Sequence, residues 1–353
     1  MIRDLTRLAS AEFDLLVIGG GIHGLTAAYD AAQRGLSVAL VERGDFGSAT
    51  SFNHLKTIHG GLRYLQTADF ARMRESIRER RAFARIAPRF VAPLAFLTPT
   101  SNSLTRNAVA MKAAFALDAI VGSDRNDGLP PSHHLPPGRV VSSDECRALV
   151  GADGEPVMRG GALWYDYETI QGDRLTLAFA LAADAHGAAL ANYVEAAGAL
   201  MSGGTITGVK ARDVLTNNTF DIRARAVVVA AGPWTSTFLS HAGVRRSWPL
   251  IKVMNLVTSR PARKAALARP AKSGRALIML PWQGRTLVGT GESTVEQQAD
   301  AQQARRPEVS AFLAEINETF PGFNLDADEV TLVHRGIVPA VLAAKAARGL
   351  SLL

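Results

Sequence analysis

The chain has 353 residues, 47% of them hydrophobic and 20% charged, with a formal net charge of +7 at pH 7. That balance belongs to a soluble globular protein of one or two domains with a large core, and it excludes a low-complexity or disordered chain. A single cysteine, Cys146, excludes a disulfide framework and any paired-cysteine metal site, so no metal is expected and a reducing compartment fits. The opening residues MIRDLTRLASAEFD hold no apolar leader, and no stretch reaches the ~18 uncharged apolar residues that a membrane span requires.

FDLLVI (13–18) is a short apolar run, the pattern of a strand buried on both faces of a parallel sheet. It enters GGGIHG (19–24), and the alanine-rich LTAAYDAAQRG (25–35) that follows reads as a helix stopped at Gly35. LSVALVE (36–42) is a second buried strand, which completes one βαβ unit. In such a unit the first glycine permits the turn, the second lets backbone approach a pyrophosphate, and the third lets helix and strand pack closely. The helix N-terminus then turns unpaired N–H groups and a positive dipole end toward the phosphates. Gly19, Gly21 and Gly24 stand at those places, and Glu42, 18 positions after Gly24, ends the second strand where a carboxylate accepts from a ribose hydroxyl. The corner therefore predicts a dinucleotide. NAD and FAD share this fingerprint.

A long helix is expected over 67–87, ending before Pro88. It carries Arg72, Arg74, Arg78, Arg80, Arg81 and Arg85, with Arg89 just beyond. These arginines read either as attraction to anionic lipid, nucleic acid or a phosphorylated substrate, or as the solvated face of a helix whose apolar side is Phe70, Met73, Ile77 and Ala84. The second reading is favoured, and without interleaved aromatics no nucleic-acid groove is expected. Residues 93–140 mix Pro, Gly and Ser around one helical stretch, LTRNAVAMKAAFALDAIVG (104–122), which either dips into a membrane surface or is buried in the protein. His133 and His134 in PPSHHLPPG lack partners at metal-ligand spacing and read as surface residues.

From 173 an amphipathic helix runs to Gly187. Gly203–Gly204 and Asn217–Asn218 then mark hairpin turns between strands. RAVVVAAG (225–232) is a buried strand running into a second glycine turn. After Pro249, strands at IKVMNLVT, RALIMLP, TLVGTGE and EVTLVHRG suggest a separate antiparallel sheet. A third nucleotide-domain strand that returns some 180 residues after the first two is unlike a contiguous NAD-binding fold, and suggests an FAD domain interrupted by other segments.

DLLVIGGGIHG, RGLSVALVERGDFGSATSFNHLKTIHGGLRYL and VVVAAGPW together resemble the FAD-dependent glycerol-3-phosphate dehydrogenases, within the wider family built like D-amino-acid oxidase. The stretch SATS…K..HGGLRYL (48–65) carries most of the specificity. The resemblance spans roughly residues 13–340 and includes YDYETIQGDRL (165–175) and LPW…VGTGE (280–292). It implies an α/β fold: a Rossmann-like FAD-binding domain assembled from discontinuous segments (1–90 and 160–245), plus an α+β substrate domain with an antiparallel sheet (91–159 and 246–353).

The same resemblance implies FAD held by its pyrophosphate at Gly19, Gly21, Ile22 and Gly24 and by its ribose at Glu42. Thr50, Ser51, Lys56 and Gly60 would lie along the flavin, Val194 would meet the adenine side through its backbone, and Ala231 and Gly232 would close over the cofactor. Arg63 and Tyr64 fall where the family binds the substrate phosphate, a task suited to the planar guanidinium fork. His59 is the candidate for catalysis, with an orienting role beside the cofactor favoured over that of base. The implied reaction oxidises sn-glycerol 3-phosphate to dihydroxyacetone phosphate, with electrons passing to quinone at the membrane or to oxygen in some relatives. The implied habit is cytoplasmic, peripheral on the inner face of the cell membrane.

Three departures qualify what the resemblance implies. Asn255 stands where the family commonly has a histidine, and Val338 in GIVP (336–339) stands where it has an arginine; Arg335 is a weak substitute because it belongs on the opposite strand face. The chain also ends at ARGLSLL, before the glycine-rich segment that completes the family's flavin pocket. The alternatives are a relative acting on another small hydroxy acid, polyol or amine, and a catalytically silent or truncated flavin-binding chain.

Overall fold

The computed structural model describes residues 1–103, 106–151, 158–293, 296–342 and 350–352. Its first sheet has six strands in the order Ala189–Ala191, Val38–Val41, Glu12–Ile18, Thr219–Val229, Thr205–Asp213, Val194–Ser202. The first four run parallel and the last two add as antiparallel hairpins. The strand predicted at 225–232 pairs with Glu12–Ile18 in register Ile18↔Val229, although more than 200 residues separate them. The turn at Gly203–Gly204 has both residues at positive φ, and Asn217 at φ 62° makes the next one, as both hairpin signals require.

Leu16, Val17 and all of Val38–Val41 are buried, which explains their unbroken apolar runs. On one face of this sheet, helices Ile22–Gln33 and Gly172–Ala185 bring Ala28, Ala31 and Ala32 together with Ala180 and Ala183. The small side chains let both helices lie close to the strands. Helices Leu5–Ser10 and Thr235–His241 cover the other face through Leu8 and Phe238. Strand Glu12–Ile18 has its helix-linked neighbour on one side and the late strand on the other, so the glycine corner at its C-terminal end sits at a topological switch point.

The second sheet has ten strands and is mostly antiparallel. Strands Val330–Leu342, Leu250–Pro261, Arg285–Glu292, Ala276–Trp282 and Ala266–Pro270 lead to Val91–Pro99, Gly160–Thr169 and the short Thr57–Ile58. Helix Arg306–Thr319 packs Phe312 and Ile316 onto Met254, Leu256, Met279 and Val288. Two strands depart from the sequence reading, which treats 93–140 as irregular around one helix: Val91–Pro99 and the short Arg139–Ser142. Val91–Pro99 carries Pro93 and Pro99, yet it pairs along its whole length with Gly160–Thr169 and touches its other neighbour only at Phe96 and Leu97. The prolines face the nearly unpaired edge, where a missing N–H costs nothing.

Helix Phe70–Ile86 differs in which face it buries. Met73, Ile77 and Ala84 are buried as expected, but Phe70 is 44% exposed and Arg80 is buried at 4%. Arg74 and Arg81 close onto Asp124, whose carboxyl the Arg74 hydrogen bond pulls down to about 2.

Candidate functional site

The corner after the first strand can be built only from glycine. Gly19 has φ +107°, and a Cβ there would collide with the Ala230 carbonyl; a Cβ on Gly24 would collide with the Gly19 carbonyl oxygen. Gly21 is the N-cap of helix Ile22–Gln33 and gives it no side-chain cap, while Ser51 Oγ accepts the Ile22 N–H at 2.9 Å. A helix start whose own N-cap is a bare glycine lets a diphosphate approach its remaining N–H groups. Glu42 is fixed beside the turn, one carboxylate oxygen accepting from Gly20 N–H and the other from Gly44 N–H, each at 2.7 Å. Each oxygen keeps a lone pair for a ribose hydroxyl.

Val194 is fully buried, its N–H bonded to the Glu42 carbonyl at 2.8 Å, which places it beside the end of the second strand. Ala231 and Gly232 follow the parallel strand next to Gly19, with Gly232 at φ +55° opening a 3-10 turn. Thr50 and Ser51 begin helix Thr50–Asn53, which lies along strand Val330–Leu342: the Thr50 hydroxyl donates to the Ile337 carbonyl at 3.4 Å, and Arg335 N–H donates to Asn53 Oδ1 at 3.0 Å.

Lys56 is fully buried, an arrangement its sequence context did not announce. Its Nζ donates to the Phe52 carbonyl and stands 4.6 Å and 5.2 Å from the Phe52 and Trp282 ring centroids. Burial pulls its ammonium down to about 8, with Asp173 opposing. Burial, aided by the Lys56 charge, holds the neighbouring His54 near 4.

The next segment is pinned by residues that sequence reasoning assigned elsewhere. Asp166, on strand Gly160–Thr169, receives the Gly60 N–H at 2.8 Å, pairs with Arg80 and contacts His59 Nδ1 at 3.1 Å. Burial pushes its carboxyl up, but the His59 hydrogen bond and the Arg80 charge prevail and hold it below the ordinary value. The other His59 nitrogen lies 3.1 Å from the Thr57 hydroxyl, so both ring nitrogens are oriented while half the side chain stays exposed. Gly60 has no room for a Cβ because the Arg80 guanidinium lies against it. A signal for Arg80 existed: residues 73, 77, 80 and 84 recur at helical spacing. Asp166 lies within YDYETIQGDRL, but nothing in the sequence marks its partner.

Arg63 and Tyr64 open the 3-10 turn Leu62–Thr67 just beyond Gly61, whose φ is +79°. Arg63 is exposed and donates no hydrogen bond among the described residues. Its charge reaches Glu292 on the second sheet: burial pushes that carboxyl up, while Arg275 and Arg63 oppose. Asn255 is buried, its amide donating to the Asn53 carbonyl and its oxygen accepting from Thr290, both at 2.9 Å. Val338 packs with Ile251, Val253 and Ala340, an apolar setting. Arg335 is exposed. Of the chain end that makes the third departure, 343–349 lie outside the described residues.

A glycine corner at a switch point with a carboxylate beside it, joined to a large antiparallel sheet, is the architecture of dinucleotide-binding proteins of the D-amino-acid-oxidase type. The chain belongs to the FAD dependent oxidoreductase family, whose model matches residues 14–347, and FAD is the cofactor of that family. It is 31% identical over 355 residues to glycerol-3-phosphate dehydrogenase of Synechocystis sp., covering 96% of this chain and 62% of that protein. It is 33% identical over 312 residues to the human mitochondrial glycerol-3-phosphate dehydrogenase, covering 83% of this chain and 41% of that one. Glycerol-3-phosphate dehydrogenase from Bacillus halodurans, solved with FAD, superposes with a TM-score of 0.72 at 26% identity, over 95% of this chain and 58% of that one. The chain thus spans between two fifths and two thirds of the length of these relatives.

Proposed function

We propose that this FAD-dependent oxidoreductase oxidises the secondary alcohol of sn-glycerol 3-phosphate to dihydroxyacetone phosphate. The observation that carries the reading is the pinned HGGLRYL segment. It presents the exposed Arg63 next to an oriented histidine, in a chain whose relatives are named glycerol-3-phosphate dehydrogenases.

In this reading the Gly19–Gly24 corner and the start of helix Ile22–Gln33 hold the diphosphate, Glu42 holds the ribose, and Val194, Ala231 and Gly232 close the adenine and pyrophosphate sides. When bound, FAD supplies the acceptor for two electrons and one hydrogen. Thr50, Ser51, Lys56 and Gly60 line its flavin end. Arg63 and Tyr64 bind the substrate phosphate by charge-assisted hydrogen bonds. His59, held by Asp166 and Thr57, orients the substrate and does not need to take a proton. The second sheet borders this site through strand Val330–Leu342, along which helix Thr50–Asn53 lies.

Electrons then pass to quinone at a membrane surface. The apolar exposed face of helix Ala108–Val121 supports peripheral contact, with Val109 77% and Ile120 73% exposed. Among the described residues no helix is long and apolar enough to cross a membrane.

A second reading, another small hydroxy acid, polyol or amine as substrate, is favoured by the apolar packing of Val338 and the committed amide of Asn255. Anaerobic mixing of the FAD-loaded chain with a panel of substrates tests both. Bleaching of the flavin absorbance by glycerol 3-phosphate supports the first. Bleaching only by an unphosphorylated compound replaces it with the second.

A further inference from the structure

Three buried polar atoms in one small region have no hydrogen-bond partner among the described residues: both ring nitrogens of His334 and the indole Nε1 of Trp282. His334 is fully buried, and its ring meets Phe52 and Trp282 edge-on, each at 5.2 Å between centroids. Buried polar groups are nearly always bonded, so an imidazole with two unmet nitrogens beside an unmet indole N–H outlines something that belongs there. Two donors and one acceptor suit a molecule that brings both a hydroxyl and an acceptor oxygen.

The strand register adds a second observation. His334 stands directly opposite Asn255 on the neighbouring strand. Asn255 is committed to Asn53 and Thr290 and, as an amide, cannot take up a proton. Alternation along the strand puts His334 on the same face as Gly336, whose added Cβ would meet Thr50 at 2.9 Å. That face is the one turned to the 50–56 segment. The titratable groups facing His334 are Lys56 and His54, both from that segment; Asn255 stands opposite it on the adjoining strand Leu250–Pro261, and Trp282, from strand Ala276–Trp282 further across the sheet, meets its ring edge-on. Burial, with the Lys56 and His54 charges, holds the imidazole near 4 and therefore neutral.

We propose that His334 is the residue that takes the hydroxyl proton of the substrate. The inference rests on the reading of the chain as an FAD-dependent alcohol oxidoreductase. The O–H bond breaks and its proton goes to a ring nitrogen of His334; the O–H electron pair becomes the carbonyl π bond, and the C–H hydrogen leaves with its electron pair to FAD. As that hydrogen departs, the hydroxyl becomes that of a protonated carbonyl, a strong acid, so a weakly basic imidazole suffices. The Trp282 N–H then holds the carbonyl oxygen.

The test uses the FAD-loaded chain with His334→Gln and His334→Phe, the second keeping the aromatic box filled. Flavin reduction by glycerol 3-phosphate is followed by rapid mixing, and FAD content is measured for each variant. The expected result is an about 100-fold or greater loss of reduction rate at unchanged FAD content. The residual rate should climb with pH as hydroxide replaces the imidazole, against a flat wild-type profile above about pH 6. Independently, the 15N imidazole resonances of His334 in the wild-type chain should move on saturation with dihydroxyacetone phosphate. Wild-type rates in both variants, or unmoved resonances with product bound, overturn the inference alone. A wild-type chain that holds FAD but is not bleached overturns the functional reading, and the inference with it.

Discussion

Gly24 and Arg63 show how differently two residues of one site depend on their surroundings. A Cβ at Gly24 meets backbone, which has no rotamer with which to yield. Gly24→Ala should therefore displace the helix start from the turn and abolish FAD uptake, read as a lost flavin absorbance relative to protein. A yellow variant with normal FAD content would show that the corner does not hold the cofactor. Arg63 is exposed and makes no hydrogen bond to the other described residues, so its removal leaves the fold alone. Arg63→Ala should raise KM for glycerol 3-phosphate about 10- to 100-fold, the worth of a charge-assisted hydrogen bond, with FAD content unchanged. Unaltered kinetics would remove Arg63 from the substrate site. Both residues were legible because a named sequence pattern contains them. His334 and Asp166 were not, because each acquires its character from neighbours more than 50 residues away.

Among the elements, helix Ala108–Val121 was open to two readings, and burial in the protein accounts for only one side of it. Phe115 and Asp118 face inward, with Asp118 paired to Arg125 at 2.7 Å, while Val109, Leu117 and Ile120 face outward. An exposed apolar helix face of this kind is suited to the boundary of a lipid headgroup layer. Changing both Val109 and Ile120 to Asp should reduce co-flotation with anionic vesicles at least several-fold and leave flavin reduction by glycerol 3-phosphate untouched. Equal flotation of variant and wild type would take this helix out of membrane contact. Helix Phe70–Ile86 teaches the converse lesson. Its arginines read as one charged face, yet they divide among a buried pair to Asp166, a cluster on Asp124 and solvent. Periodicity identifies a buried stripe, but it does not say that a charged residue will join it when a carboxylate waits on the facing strand.

Over the full chain, the buried bases tie stability to pH. His54 and His334 titrate near 4 in the folded chain and near 6.5 when unfolded, so between those values the unfolded chain binds more protons. Their contribution is complete above pH 6.5 and is lost as pH falls toward 4. Each tenfold difference in proton affinity between the folded and unfolded chain is worth about 1.4 kcal/mol. Thermal unfolding at about pH 5 should therefore begin on the order of 5 °C below that at about pH 7. A chain carrying His54→Asn and His334→Phe should show a much smaller pH dependence; an unchanged drop would place its origin elsewhere. Lys56 acts with the same sign in its own window, stability rising from about pH 8 to 10.5.

Residue order was sufficient to specify the strand–glycine–helix corner, the carboxylate at the end of the second strand, the hairpins and the family. These depend on local periodicity and on backbone angles that only glycine or asparagine adopts easily. Folding in three dimensions was needed to bury Arg80 on Asp166 and so hold His59 and Gly60, to seal Lys56 from water, and to stand His334 unbonded opposite Asn255. Burial and charge compensation are properties of the partners a side chain meets, and the pairing of distant strands chooses those partners.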